Sequence, residues 1–455
     1  MSFQVVSPAT GERLREFPET TPRQARAAIH AADAAFRAWR GTGFAERARL
    51  MREAAQVLRS RAKEYAVLMA EEMGKPVRDG RAEVEKSASA CDYYAENAER
   101  FLARERVDTG AHASFVSFQP LGVILAVMPW NFPFWQVFRF AAPALMAGNA
   151  GVLKHAANVP GCALAIEDVF RAAGFPENLF RSLLVPGKKV AGLIRNPLVR
   201  AVTLTGSTAA GRAVGRAAGQ ALKKAVLELG GSDPYLVLRD ADLELAVEAC
   251  AASRLINAGQ SCIAAKRFLV VPELLPEFER RLVERMRGVR MGDPLDESTQ
   301  MGPQARVDLR DELHDQLRRS LDKGARLLLG GEVPPGPGAF YPATVLADVR
   351  AGMAAHDEEL FGPVAAIIPV SDEEEALSVA NASVFGLGAA VFTRDRARGE
   401  RIAERELEAG ACFVNGFVKS DPRLPFGGVK ESGHGRELSH FGIREFVNIK
   451  TVVVA

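Results

Sequence analysis

The chain has 455 residues, 48% of them hydrophobic and 25% charged, a composition that is ordinary for a soluble globular protein of two or three domains. Its net charge of +2 is too small to indicate a nucleic-acid or membrane-surface partner. Five cysteines without a CxxC pair argue against a disulfide framework or a structural zinc site, so we expect a reducing compartment, the cytoplasm by default.

The first 130 residues predict helices followed by two strands. Residues 1–20 lack the apolar core of a secretory signal. Residues 25–111 carry apolar side chains every three or four positions, which predicts helices, with a stop at Gly74. Residues 114–130 predict two strands separated by a turn, and their apolar run, residues 121–130, is half of the ~20 residues that a membrane span needs.

From residue 150 onward, strand-like and helix-like segments alternate, as in a parallel α/β sheet. The alternation restarts after Cys262 with "KRFLVV", which predicts a second α/β unit and places Cys262 near a domain junction, where ligand sites are common. The β-branched end "EFVNIKTVVVA" predicts a terminal strand. Because a bare edge strand invites aggregation, we expect an oligomer to cover it.

Cys262 is the cysteine with a polar approach. It follows Gly259, Gln260 and Ser261 in a break between a predicted helix and a predicted strand, whereas the other four cysteines stand among Ala, Gly, Leu or Phe. A free cysteine is often a small buried hydrophobe, so from the residues alone a nucleophile and a core residue stay open as equal alternatives.

Glu228 and Asn131 are further candidates for chemistry, each with a structural alternative. A glutamate among Val, Leu and Gly is costly to bury unless it has a partner or a raised pKa, and a raised pKa suits a general base. Glu228 could equally cap a backbone amide. Asn131, in "PWNFPFW", could donate a hydrogen bond to an oxyanion. A cap for a helix beginning near Pro133 is the better local interpretation.

Residues 204–215, "LTGSTAAGRAVG", predict a strand, a glycine turn and the start of a helix. Such a turn can present backbone N–H groups to a phosphate. Many α/β turns look similar and no GxGxxG is present, so this segment alone is a weak indication of a nucleotide site.

Six motifs in chain order closely resemble the NAD(P)-dependent aldehyde dehydrogenase superfamily. They are "PWNFPFW", "LTGSTAAG", "LELGG", "GQSC", "EELFGPV" (Glu358–Val364) and "PFGGVKESGHGRE" (Pro425–Glu437). The resemblance spans nearly the whole chain. Two further segments, "VKSDPRLPFGG" and "LKHAANVPGCALAI", are similar to the bacterial succinate-semialdehyde dehydrogenases of that superfamily.

The resemblance implies catalytic roles for the three candidates. Cys262 matches the thiolate that adds to the aldehyde carbon and then, after hydride leaves for the nicotinamide, holds a thioester. Asn131 and the Cys262 backbone N–H would hold the oxyanion, and Glu228 would activate the water that hydrolyses the thioester. A cationic nicotinamide ring beside Cys262 would depress the pKa of its thiol.

The resemblance also implies a site for NADP or NAD and no metal. Lys154 would contact the adenine ribose, Ser207 the pyrophosphate, and Glu359 and Phe361 the nicotinamide ribose and ring. Many NAD-preferring relatives have a glutamate where Ala157 stands here, so we expect NADP to be accepted and preferred. The implied cofactor contacts are Trp130, Lys154, Ala157, Gly206, Ser207, Leu229, Glu359 and Phe361.

For the substrate, the resemblance points to succinate semialdehyde. Arg139, on the helix that would line the substrate tunnel, could pair with the carboxylate of the substrate, and Lys419 and Ser420 could touch it. A structural ion pair is the alternative for Arg139. The alternative functions are oxidation of other aldehydes such as glutarate semialdehyde, a cysteine-dependent esterase, and a binding protein without activity.

By resemblance the fold is α/β with three parts. A Rossmann-like nucleotide-binding domain would comprise residues 1–106 and 119–229, and an α/β catalytic domain residues 230–427. A small β oligomerisation element would comprise residues 107–118 and 428–455, which implies a homodimer or homotetramer.

Overall fold

The computed structural model describes residues 2–455, which begin with a β-hairpin and four helices. The elements are β1 Ser2–Val6, β2 Arg13–Pro18, α1 Pro22–Trp39, α2 Phe44–Ser60, α3 Ala62–Met73 and α4 Val77–Phe101, followed by β3 Glu105–Arg106 and β4 Ala113–Pro120. Gly74 ends α3 in the left-handed conformation, at φ 78°, where the sequence predicts a stop. The hairpin is not predicted, because β2 is largely charged and exposed.

A first α/β unit forms a six-stranded sheet. Its elements are β5 Val123–Val127, α5 Trp135–Met146, β6 Ala150–Lys154, α6 Pro160–Ala172, β7 Phe180–Ser182, α7 Val190–Ile194, β8 Val199–Thr205, α8 Thr208–Gln220 and β9 Lys224–Glu228. Strands β5 to β9 are parallel to their neighbours, in the order β9-β8-β5-β6-β7. The predicted parallel sheet is confirmed.

A second α/β unit forms a seven-stranded sheet. Its elements are β10 Asp233–Val237, α9 Leu243–Leu255, β11 Ala265–Val270, α10 Leu275–Arg287, α11 Val307–Asp322, β12 Arg326–Leu329, β13 Thr344–Ala347, α12 Ala354–Asp357, β14 Val364–Pro369, α13 Glu373–Asn381, β15 Phe385–Gly386, β16 Gly388–Phe392, α14 Arg396–Arg401 and β17 Ala411–Val414. The order is β12-β13-β14-β11-β10-β16-β17, and β12 alone runs antiparallel to its neighbour. The predicted restart of the alternation after Cys262 is confirmed.

The last elements of the chain pair with strands of both α/β units and with β4. They are β18 Val429–Lys430, β19 Gly433–His434, α15 Ser439–Glu445 and β20 Val447–Val454. Strand β18 pairs with β15, β19 adds an antiparallel edge to the first sheet beside β9, and β20 pairs with β4 over its whole length. Residues 429–434 therefore contact both α/β units, and β3 joins the small sheet with β4 and β20.

Each sheet carries its own hydrophobic core. The first sheet and the N-terminal helices share one core, in which β5 is buried throughout except at Val127. The second sheet is covered on both faces. Successive residues of β10 therefore face different cores: Tyr235 and Val237 pack on one side, Leu236 on the other. Within residues 2–455, none of the helices combines the length and the apolar character that crossing a membrane requires.

Candidate active site

Two cavities meet at Cys262, which lines both. The larger cavity, of about 580 Å³, lies between α4, α5, the end of α9 and residues 418–420. The smaller cleft, of about 410 Å³, lies between residues 129–131, the start of α8 and residues 359–361. A side chain at this junction can react with a molecule in one cavity while a second molecule occupies the other.

Most of the predicted site residues lie in these walls. The smaller cleft is lined by Trp130, Asn131, Gly206, Ser207, Leu229, Glu359 and Phe361. The larger cavity is lined by Arg139, Lys419 and Ser420. Lys154, Ala157 and Glu228 lie in neither wall. Lys154 is the last residue of β6 and pairs with Val127 of β5, which leads directly into the wall of the cleft.

The backbone before Cys262 is unusual. Asn257, Ala258 and Gly259 all have left-handed conformations, with φ of 53°, 54° and 76°. Gly259 is also required by space, because a Cβ there would overlap the backbone of Gly362. Left-handed residues other than glycine cluster at functional sites, where the surrounding contacts hold them. This turn ends α9 abruptly and brings Cys262 to the junction of the cavities.

Lys266 donates hydrogen bonds to the backbone of the same loop. This lysine is 1% exposed, and its Nζ donates to the carbonyls of Ser261, Cys262 and Ala264 at 3.1, 2.9 and 3.2 Å. The nearest carboxylate oxygen belongs to Glu359, at 3.7 Å. Lys266 thus connects the loop of Cys262 to Glu359 in the wall of the smaller cleft. Lys266 is not among the residues predicted from the sequence. A lysine in a strand as apolar as "AAKRFLVV" nevertheless indicates a buried charge that needs partners.

The Cys262 thiol is partly buried, and its surroundings oppose ionisation in the chain alone. Burial raises the pKa of the thiol to about 12, while the positive charges of Arg139 and Lys266 act in the other direction. The predicted depression of this pKa requires a bound cation. The remaining cysteines are also free, and Cys91, Cys162 and Cys250 are fully buried.

Asn131 is held by a network that begins in the N-terminal helices. Its backbone carbonyl accepts from Lys75 Nζ at 2.9 Å and from Asn257 Nδ2 at 2.8 Å. Its own Nδ2 donates to the Gln260 carbonyl at 3.1 Å, which leaves the second N–H of the amide free to donate. The amide and Cys262 therefore lie on adjoining loops that are fastened to each other.

The interpretation of Asn131 as a helix cap is wrong. Helix α5 begins at Trp135, and the acceptor at its start is Glu83 of α4, whose Oε1 accepts from the backbone of Phe134 and Trp135 at 2.9 and 3.0 Å. Glu83 also forms a buried ion pair with Lys75. Since Lys75 and Glu83 lie 60 and 52 residues before the first residue of α5, no local pattern near Asn131 could have indicated them.

Glu228 is 2% exposed and lies behind the cavities, not within them. Both of its carboxyl oxygens lack a hydrogen-bond partner among residues 2–455, and a Cβ at Gly427 would lie 2.6 Å from Oε1. Burial, reinforced by the nearby Glu437 carboxylate, raises the pKa of Glu228 well above its usual value. A raised pKa makes the ionised carboxylate a stronger base than a free one, which suits a general base.

Arg139 is 2% exposed and takes part in a structural ion pair, which was the alternative to binding the substrate carboxylate. It forms an ion pair with Glu437, donates to Thr205 Oγ1 at 3.2 Å and lies 4.7 Å from the centre of the Phe426 ring. It also reaches the wall of the larger cavity. The structure therefore gives Arg139 an internal counter-ion at the edge of the cavity.

The smaller cleft has features that suit a nucleotide. The side chain of Ser207 caps α8 by accepting from Ala210 N at 3.3 Å, and Thr208 and Ala209 of the first turn line the cleft. Glu359 accepts from Gly231 N at 2.9 Å, over Gly230, where a Cβ would collide with its carboxylate. The rings of Trp130 and Phe361 meet edge to face at 5.8 Å.

The structure has two α/β sheets and a cysteine between two cavities, one of which is built around a helix N-terminus. This arrangement is typical of a nucleotide-dependent enzyme. The sequence pattern of the aldehyde dehydrogenase family matches residues 1–452. The chain belongs to the aldehyde dehydrogenase family.

Several relatives are similar over their whole length. The chain is 50% identical over 447 residues to a succinate semialdehyde dehydrogenase [NAD(P)+] of Escherichia coli, covering 98% of this chain and 96% of that one. It is 48% identical to a probable succinate-semialdehyde dehydrogenase [NADP(+)] of Synechocystis, covering 100% of both. A succinic semialdehyde dehydrogenase of Streptococcus pyogenes, crystallised with NADP+, has a TM-score of 0.97, 36% identity and 99% coverage of both chains.

Proposed function

We propose that the protein oxidises succinate semialdehyde to succinate and uses NADP+ or NAD+ as the hydride acceptor. The observation that carries this proposal is the position of Cys262, which is in the walls of both the larger cavity and the smaller cleft. The larger cavity would hold the aldehyde and the smaller cleft the cofactor. The names of the relatives from Escherichia coli and Synechocystis support the substrate.

Cys262 would attack the aldehyde carbon as a thiolate, forming a thiohemiacetal. The second N–H of the Asn131 amide and the backbone N–H of Cys262 would donate to the oxyanion. A bound nicotinamide cofactor supplies a positive charge near the sulfur and accepts the hydride. The acyl group then stays on Cys262 as a thioester until water releases it.

Glu228 would take the proton from that water. Its carboxylate would move from its position beside Gly427 towards Cys262. The high pKa of Glu228, caused by burial, makes the deprotonated form a strong base. Hydrolysis of the thioester is therefore the step that we assign to Glu228.

The cofactor residues fit a dinucleotide. Ser207 and the first turn of α8 would bind the pyrophosphate, and Glu359, above Gly230, the nicotinamide ribose. Lys154 is largely buried and has no carboxylate partner within residues 2–455, while Ala157 is exposed and neutral. A 2′-phosphate there would meet a positive charge and no negative one, so we propose a preference for NADP.

At the level of domains, the nucleotide-binding part would comprise residues 1–106 and 119–229, the catalytic part residues 230–427, and the oligomerisation element residues 107–118 and 428–455. The pairing of β20 with β4 supports the last of these. We further propose a homodimer or homotetramer. Five free cysteines favour the cytoplasm as the compartment.

The experiment that tests this function is a steady-state panel of aldehydes with NADP+ and NAD+, followed by absorbance at 340 nm. We expect succinate semialdehyde with NADP+ to give the highest kcat/KM. The Cys262→Ser variant should form no NADPH, and mass spectrometry of quenched mixtures should find the acyl adduct on Cys262 of the wild type. Preference for neutral aldehydes, or an adduct elsewhere, would contradict the proposal.

A further inference from the structure

The backbone carbonyls of the loop that carries Cys262 are held by side chains. Each carbonyl of residues 257–262 accepts a hydrogen bond from a buried side chain, and the donors are Gln260, Gln304, Arg254, Asn131, Asn257 and Lys266. Two of these donors are cations. Arg254 binds the Gly259 carbonyl at 2.7 Å, and Lys266 binds the last two carbonyls of the loop.

The N–H groups that share peptide bonds with those last two carbonyls are free. The Cys262 N–H belongs to the same peptide group as the Ser261 carbonyl, and the Ile263 N–H to the same peptide group as the Cys262 carbonyl. Neither N–H has an acceptor among residues 2–455. The Cys262 N–H is also the backbone donor to the oxyanion in the proposed reaction, together with the Asn131 amide.

Lys266 binds these carbonyls as an ammonium ion. Its Nζ has three acceptors, the carbonyls of Ser261, Cys262 and Ala264, and only a protonated amine has three N–H donors to match them. Burial lowers the pKa of this group, while the carboxylate of Glu359, 3.7 Å away, acts in the opposite direction. The positive charge therefore lies closest to the peptide oxygens.

A cation at a peptide oxygen changes the N–H at the other end of the same peptide bond. The amide is a resonance hybrid, so electron density that is drawn towards the oxygen leaves the nitrogen and its hydrogen more positive. Successive hydrogen bonds reinforce one another in this way, by about 10–30% per bond. The gain is larger when the acceptor is charged, as an oxyanion is.

We infer that Lys266 strengthens the backbone donor of the oxyanion site: by binding the Ser261 carbonyl, it polarises the Cys262 N–H towards the negatively charged oxygen of the reacting acyl group. This inference rests on the proposed function, in which that N–H binds the oxyanion. Lys266 lies in the wall of neither cavity, so it acts through the peptide bond and is a positioning residue.

Hydrolysis of the thioester separates this role from an effect on the free thiol. In this step the oxygen of water adds to the thioester carbon, its proton passes to Glu228, and the carbonyl oxygen takes up the negative charge. The sulfur of Cys262 is acylated when the addition begins, so the ionisation of its thiol does not enter the rate of addition. A slower hydrolysis therefore reports the oxyanion site.

The experiment acylates each enzyme with succinate semialdehyde and NADP+ and follows the loss of the Cys262 adduct by mass spectrometry of quenched samples. Lys266→Gln keeps an uncharged donor and should hydrolyse the adduct about 5- to 20-fold more slowly, less than the 10²- to 10³-fold cost of losing a whole oxyanion donor. Lys266→Met, which keeps no donor, should be slower still. Lys266→Arg keeps the charge and should recover part of the rate.

Arg254→Gln is the matched control. Arg254 is as deeply buried as Lys266 and holds the same loop, but the N–H of the peptide that it binds, that of Gln260, already donates to the Asn257 carbonyl at 3.1 Å. Urea unfolding should show a loss of stability comparable to that of Lys266→Gln. The rate of hydrolysis should fall less than it does in Lys266→Gln.

The possible results separate the inference from the function on which it rests. Equal losses of rate in Arg254→Gln and Lys266→Gln would attribute the effect to a loosened loop and overturn the inference, as would a wild-type rate in Lys266→Gln. Should Lys266→Met fail to fold, Lys266→Gln decides. A wild type that forms no acyl adduct on Cys262 would overturn the proposed function itself.

Discussion

A single buried ammonium group, that of Lys266, joins three carbonyls of the Cys262 loop to the Glu359 side of the cleft. Replacing it by methionine removes one donor from each of those carbonyls, of which that of Ser261 still accepts from Ala264 N at 3.1 Å. It also removes a positive charge near the sulfur. We expect Lys266→Met to lose about 3 kcal/mol of stability and to raise the pKa of Cys262. The rate of Cys262 alkylation by iodoacetamide against pH measures the second effect.

The control for Lys266→Met is Lys63→Met, which removes an exposed lysine from α3 and should change neither quantity. A Lys266→Met variant whose alkylation profile coincides with that of the wild type would show that the charge does not act on the thiol. A stability equal to the wild type would show that water replaces the ammonium group.

The raised pKa of Glu228 has a second cause besides burial, which is the carboxylate of Glu437. Glu437→Gln removes that negative charge and frees the positive charge of Arg139, and both changes favour the ionised form of Glu228. Because a general base acts only when deprotonated, the rising limb of thioester hydrolysis against pH should move to lower pH. Single-turnover hydrolysis of the acylated enzyme measures this shift.

Glu431→Gln is the matched control for Glu437→Gln, since Glu431 pairs with Arg212 at the surface. Its pH profile should coincide with that of the wild type. A limb that stays in place in Glu437→Gln, or moves to higher pH, would exclude coupling between the two buried carboxyl groups as the cause of the high pKa.

We expect Ala157 to be the residue at which the proposed preference for NADP can be reversed. Ala157→Glu places a carboxylate three residues after Lys154, where it would repel a 2′-phosphate. We expect kcat/KM with NADP+ to fall at least tenfold, a change of ~1.4 kcal/mol, while that with NAD+ is kept or rises. Ala157→Gln has nearly the same shape without the charge, so an equal loss in both variants would point to steric hindrance instead.

At the scale of elements, α4 positions the loop that carries Asn131. Glu83 caps α5 from α4 and pairs with Lys75, which in turn holds the Asn131 carbonyl. Glu83→Ala leaves a buried ammonium group unpaired and should cost about 3–5 kcal/mol of stability. Urea unfolding measures this cost. Because Asn131, the proposed oxyanion donor, would be displaced, kcat should fall more than KM rises.

Glu96→Ala removes an exposed glutamate from the same helix and serves as the control for Glu83→Ala. Glu83→Gln keeps an acceptor for the backbone of α5 and should recover part of the stability. If Glu83→Ala lost stability but kept its kcat, α4 would support the fold without positioning Asn131.

The elements show which features the sequence can predict. The helices and the buried strands can be predicted from the spacing of apolar residues. The end of α3 can be predicted from Gly74, because glycine readily adopts the left-handed conformation that the structure shows there. The hairpin β1–β2 is not predicted because β2 carries three charged residues and is mostly exposed. The capping of α5 by Glu83 escapes prediction because the two groups meet only through tertiary packing.

In the candidate active site, too, some residues can be predicted from the sequence and others cannot. Cys262, Asn131 and Glu228 stand in motifs that can be recognised along the chain. The importance of Lys75, Lys266 and Glu437 becomes visible only from their partners in the structure. The sequence shows which residues are charged but not which residue is the counter-ion of each. Arg139 illustrates this point, because only the structure pairs it with Glu437.

At the scale of the whole molecule, the outer edge of the small sheet is unusually apolar. Ile449 and Val453 of β20 lie on one face and are 61% and 57% exposed, and β20 has β4 as its only neighbour within residues 2–455. Exposed apolar edge strands aggregate unless something covers them, and a second copy of the chain would do so. We therefore expect the wild type to sediment as a dimer or tetramer.

Ile449→Lys with Val453→Lys places two charges on this face and should shift the sedimentation coefficient towards that of the 49.1 kDa monomer. Leu222→Lys is the matched control, since Leu222 is 95% exposed but stands alone outside the small sheet. A wild type that sediments as a monomer at micromolar concentration would contradict this arrangement. An oligomer that persists in the double variant would place the contact on another surface, because two like charges facing their copies across a buried interface cost several kcal/mol.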